Sequence, residues 1–262
     1  FCLSRGLGDV YKRQPEPAPA AAEEPKPEPE PARKGVKHRP SPKHGREPVP
    51  VPAGQVIYDS LKTSFVDFPR LITTLEREAY TGYVRLLTDD AAGLILFKEG
   101  AALECVYDIG EDPTPALGRE ALSQFNDAVT HGQGVLDVVG LSPELVDGLY
   151  ELTVAKPLYA DLYASWVDPK KLLAFLEKRK LSGSLMVRAD SGTGVIILTG
   201  GKLTGAYTSE SRDIAEDAEG PLALCGDDNA VIEVKAADES RRDPLDVNSV
   251  VGTRGGAVPD RV

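Results

Sequence analysis

Two stretches of this chain carry the same pattern. With Asp67 set over Asp168 and no gaps, an offset of 101 residues, Leu71 meets Leu172, Leu75 meets Leu176 and Glu76 meets Glu177. Further along, Gly82 meets Gly183, Asp89 meets Asp190, Gly93 meets Gly194, Ile95 meets Ile196 and Gly100 meets Gly201. An offset held over about forty residues says that the fold is built from one unit used twice.

Each copy reads the same way. Asp67 and Asp168 are short carboxylates that can cap a helix N-terminus. Pro69 and Pro169 follow in the first turn, where proline is tolerated. Phe68, Leu71, Ile72 and Leu75 share one helical face, as do Leu172, Leu173 and Leu176. Gly82 and Gly183 are expected to end these helices. Three short β runs follow: 83–87, 94–97 and 103–107 in the first copy, 185–188, 195–198 and 203–207 in the second. Glu99-Gly100 and Gly200-Gly201 are tight-turn signals. Links this short make the strands antiparallel, because a parallel crossover needs a dozen or more residues. A second helix carrying Leu117, Ala121, Leu122, Phe125 and Val129 is expected in the first copy. Its counterpart carries Ile214, Ala215 and Ala218 and breaks at Gly220-Pro221. Each copy then closes on a strand, at 135–139 and 230–234.

The repeats are thus expected at 55–141 and 168–238, joined by a helical connector over 142–167. Ser142 and Pro143 start that connector, and Leu158 to Trp166 is expected to continue it as helix. Residues 239–262, polar and glycine-containing, are expected to be a disordered tail. Residues 15–54 hold twelve of the 21 prolines and read as a disordered linker. The stretch Ser4–Gln14 matches the translation of a common transposase-based sequencing adapter, so 1–14, Cys2 included, are set aside.

The net charge of −11 argues against nucleic acid or an anionic membrane as partner, since both require clustered Lys and Arg. No apolar run approaches the ~18 residues of a spanning helix. Catalytic raw material is scarce. Among three histidines only His131 lies outside the linker, in a loop. Cys105 and Cys225 fall at different points of the two copies and read as small buried hydrophobes. With no CxxC and no Cys/His cluster, no metal site is expected. The glycines of Gly192-Thr193-Gly194 and Gly200-Gly201 lack phosphate-loop spacing and read as hairpin glycines. The carboxylates Asp89, Asp90, Glu111, Asp112 and Glu210 read as solvated turns. The copies share an apolar skeleton but not their polar residues, which favours a duplicated scaffold over a duplicated active site.

Two segments carry a family resemblance: Thr81-Gly82-Tyr83-Val84-Arg85-Leu86 with Gly93–Gly100, and Ser182-Gly183-Ser184-Leu185-Met186-Val187 with Gly194–Ala206. The unit resembles the PATAN-like domains of bacterial signalling proteins. That resemblance implies a non-catalytic interaction domain and supplies no catalytic residues. The expected fold is α+β: two small antiparallel sheets, each covered on one face by its own helices. The expected function is a protein–protein interaction module of a cytoplasmic signalling or scaffold protein, through other proteins or self-association. No catalytic, cofactor or metal residue is assigned. The alternative is a small-ligand sensor with its pocket between sheet and helix.

Overall fold

A computed structural model describes residues 47–111, 114–238 and 243–252. The expectations for 1–14, for 15–46 of the linker, for Asp112 and for 239–242 and 253–262 lie outside them. The first copy runs β1 (Gln55–Lys62), a 3-10 turn (Thr63–Phe65), α1 (Phe68–Arg77), β2 (Gly82–Leu87), β3 (Ala92–Lys98), β4 (Ala101–Asp108), the short β5 (Ala116–Leu117), α2 (Gly118–Thr130) and β6 (Val135–Gly140). α3 (Pro143–Val154) follows. The second copy runs β7 (Pro157–Tyr163), a 3-10 turn (Ala164–Trp166), α4 (Pro169–Lys178), β8 (Gly183–Ala189), β9 (Gly192–Thr199), β10 (Lys202–Thr208), α5 (Glu219–Ala223) and β11 (Val231–Ala236). α6 (Asn248–Val251) comes last.

The fold is α+β, with two antiparallel sheets ordered β1-β6-β2-β3-β4-β5 and β7-β11-β8-β9-β10. The first five strands of the one match the five of the other in order, β5 having no counterpart, so the duplication includes the topology. It reaches the backbone as well. Ser60 and Asp161 both take positive φ, at 54° and 50°, as do Ala79 and Lys180, at 49° and 52°. Asp67 caps α1 by accepting from Arg70 N at 3.2 Å, and Asp168 caps α4 by accepting from Lys170 N and Lys171 N.

Several expectations change. Leu158 to Trp166 is not helical: β7 pairs with β11, Ile232 facing Leu162 and Val231 facing Tyr163. Pro157 ends the helical run and β7 uses the extended conformation that follows. The matching β1 was also missed. Both strands are irregular in register, so period-2 alternation is lost in them. Gly82 and Gly183 do not end the helices but open β2 and β8, at φ 151° and 149°. A Cβ on Gly82 would lie 2.2 Å from Val139 O, and one on Gly183 2.1 Å from Lys235 O. Gly220-Pro221 does not break a helix but sits in the first turn of α5, where a missing N–H costs nothing. The linker is placed from Glu47 onward, with Val49 and Val51 buried. Within the expected tail, Val247 and Val251 are buried against the first copy.

Both faces of each sheet are covered, rather than one. On the outer faces α1, α2 and α6 pack on Val84, Leu86, Ile95 and Phe97, while α4 and α5 pack on Leu185, Val187, Ile196 and Leu198. On the inner faces Tyr83, Leu94 and Leu96 of one sheet and Met186, Val195 and Ile197 of the other share one apolar cluster with Leu145, Val146 and Leu149 of α3. The layers are therefore helices, sheet, α3, sheet, helices. Continuous apolar runs such as Leu94-Ile95-Leu96-Phe97 are the sequence mark of a strand buried on both faces. α3 lies close on β9, since a Cβ on Gly148 would fall 2.4 Å from Ile197 Cγ2. Among the described residues no helix is long and apolar enough to cross a membrane.

Candidate functional site

The chemistry-bearing side chains are used by the fold. Arg85, on the inner face of β2, donates from Nε to Asp137 Oδ2 and from Nη1 to Glu47 Oε1, both at 3.2 Å. Arg212 donates to the same Glu47 oxygen. Ser60 N donates to Asp137 Oδ1 at 3.0 Å, so the carboxylate also holds the left-handed residue of β1. This network ties the 47–54 segment to both copies. Tyr83 Oη donates to Pro52 O at 2.9 Å and Tyr207 Oη donates to Pro50 O at 2.8 Å. Burial pushes both phenols up, so they stay protonated and serve as donors. These hydroxyls satisfy two main-chain acceptors of a segment that lies outside both sheets.

The residues weighed for chemistry are scattered. His131 is the C-cap of α2, exposed, with Nδ1 2.6 Å from Asp127 O. Cys105 is fully buried in β4, and burial raises its thiol well above the ordinary value. Cys225 is half-buried in the turn after α5, its thiol raised by the same cause. A thiol held protonated is a poor nucleophile. Asp89 and Asp90 form the β2–β3 turn, where Thr88 Oγ1 accepts from Asp90 N and Ala91 N. Glu111 and Glu210 are exposed in loops. Gly200 and Gly201 make the β9–β10 turn at φ 58° and 84°. Among the described residues no three His, Cys, Asp or Glu side chains converge as a metal site.

A different set repeats in the two copies. β1 and β7 are outer strands, each paired on one side. Along β1 Val56, Ile57 and Tyr58 are exposed, and along β7 Leu158 and Tyr163. The 3-10 turns that follow present Phe65, 80 % exposed, and Trp166, 71 % exposed. Tyr163 and Trp166 lie ring to ring, with centroids 4.7 Å apart. Ile57 corresponds to Leu158, and Phe65 to Trp166, at the same offset of 101. Sequence reasoning missed this surface because its strands were missed; the signal available was the pairing of Phe65 with Trp166 beyond the helix caps.

The sequence model of the family DUF2226, described as an uncharacterized protein conserved in archaea, matches residues 49–153. The span begins at the first buried valine, covers the first sheet and its helices, and ends within α3. This corrects the expected resemblance to PATAN-like domains of bacterial signalling proteins: the first copy is similar to a different family. The motifs behind the resemblance were turn glycines and strand hydrophobics, which a β-meander needs whatever its descent. No curated protein matches the chain, and no solved structure does.

Proposed function

We propose that this chain is a non-catalytic protein-binding module, an adaptor or scaffold of the cytoplasm, whose duplicated edges dock segments of other proteins. The observation that carries the reading is the pair Phe65 and Trp166. Each is a large aromatic left in water on the turn after an outer strand, at the same position of each copy. An exposed phenyl or indole adds nothing to a core, whereas such anchors supply much of the energy of protein interfaces. The open strand beside each anchor offers N–H and C=O groups for an added strand. The space between each inner face and α3 is filled by side chains, which supports protein docking over a small-molecule pocket there.

The test is quantitative affinity capture with the wild-type chain and with the Phe65→Asp/Trp166→Asp double variant. Both sites are exposed, so the double variant stays folded, losing only the Tyr163–Trp166 ring contact. Partners captured by the wild type and lost by the double variant are the expected result. The same partners captured by both chains would overturn the reading.

A further inference from the structure

The two copies differ on their outer faces. In the first, the segment from Leu245 to Val251 fills the groove between α1 and α2. Leu245 N donates to Ala102 O at 2.8 Å, and Asn248 Nδ2 donates to Glu76 Oε1 at 3.2 Å. Asp246 Oδ1 caps the turn by accepting from Ser249 N at 3.1 Å. Val247 and Val251 complete the packing, and Ile72 beneath is fully buried.

The offset carries each element of this seat into the second copy. Glu76 becomes Glu177, Ile72 becomes Leu173 and Ala102 becomes Leu203. The strands agree down to their bulge: Leu96 pairs Glu104 and Phe97 pairs Ala102, while Ile197 pairs Gly205 and Leu198 pairs Leu203. Leu203 O therefore sits on the outer edge of β10 as Ala102 O does on β4. Among the described residues no segment covers this seat. It is a groove of about 620 Å³ in which Leu173, Leu203 and Leu222 are only part-covered.

The rim differs in charge. Pro69 and Ala101 of the first copy are replaced by Lys170 and Lys202, both lining the groove. Lys171, Lys178, Arg179 and Lys180 lie on or just beyond the same helix, in a chain of net charge −11. The segment that fills the first groove is itself acidic, through Asp243 and Asp246.

We propose that the α4–α5 groove binds a short acidic segment of a partner protein bearing a capped apolar turn, the chemistry of residues 243–251. Its backbone N–H donates to Leu203 O, a side-chain amide donates to Glu177, apolar residues cover Leu173 and Leu222, and its carboxylates face Lys170 and Lys202. The chain's own segment occupies the first groove, held there by the Leu245–Ala102 and Asn248–Glu76 hydrogen bonds. The groove is separate from the β1 and β7 edges and does not depend on their reading.

The test uses a labelled synthetic peptide with the sequence of residues 243–252, titrated onto the full chain by fluorescence anisotropy. Saturable binding that weakens as salt is raised is expected. Leu203→Glu and, separately, Lys170→Glu/Lys202→Glu should each weaken it by about tenfold. The lysines are exposed surface residues, so the double variant stays folded. Phe65→Asp/Trp166→Asp should bind the peptide as wild type does, whatever becomes of edge binding. No binding at millimolar peptide would overturn the proposal. So would equal binding by wild type and Leu203→Glu, because the peptide would then be displacing the chain's own segment from the first groove. Dimerisation of the peptide-free chain that Leu203→Glu abolishes would also overturn it, making a second copy the occupant.

Discussion

Glu104 is a carboxylate that the fold both uses and penalises. Its Oε1 accepts from Gly118 N at 2.7 Å and from Cys105 N at 2.9 Å, which fixes the left-handed glycine opening α2. Burial raises its pKa above the usual carboxylate range, and the two N–H donors offset only part of that rise. The folded chain thus holds this proton to higher pH than the unfolded chain. Stability from this group is greatest below the unfolded pKa and falls as pH rises through the folded one. Glu104→Gln keeps an oxygen acceptor and removes the charge. It should melt higher than wild type at pH 7, with the difference closing by about pH 4. Calorimetry at both pH values checks this, and a variant melting lower at pH 7 would contradict it. Single residues were legible where backbone geometry forces the choice. Asp67, Asp168, Gly100 and Gly201 stand where their chemistry demanded. The Arg85 network was not legible, because Glu47, which Arg85 holds together with Asp137, lies in a Pro-rich stretch whose composition says nothing of burial.

Helix termination shows how elements can be placed correctly by the wrong residue. α1 ends in a Schellman arrangement, Tyr80 N donating to Leu75 O and Ala79 N to Glu76 O. α4 repeats it with Leu181 N to Leu176 O and Lys180 N to Glu177 O. The left-handed position is held by Ala79 and Lys180 rather than by glycine. A β-carbon there costs roughly 1 kcal/mol. Lys180→Gly, at an exposed site, should therefore stabilise the chain by about 1 kcal/mol in urea unfolding. A loss of stability would show that the lysine side chain contributes more than the backbone strain costs. The three-strand meanders were legible from apolar runs between glycine turns. β1 and β7 were not, since their register shifts at Ser60 and Asp161 erase the alternation that marks a strand. α6 was not legible either, because four residues give no helical period.

At the scale of the whole molecule, the duplication explains both what is buried and what is left out. The inner faces of the two sheets close on α3, and the outer faces on helices, so each strand of the meanders is covered twice. That leaves the outer strands β1 and β7 with their aromatic turns as the repeated uncovered surface. The fold class followed from capped apolar helices and from apolar runs joined by short turns. The facing of the sheets did not, because a repeat says that two units exist and not which faces meet. The most direct test of the docking account is hydrogen–deuterium exchange of the full chain, free and bound to a partner purified by affinity capture. Slowed exchange over residues 55–66 and 157–167 is the predicted result. Unchanged exchange in both segments, with protection confined to the hairpin turns at 88–91 and 190–191, would contradict it.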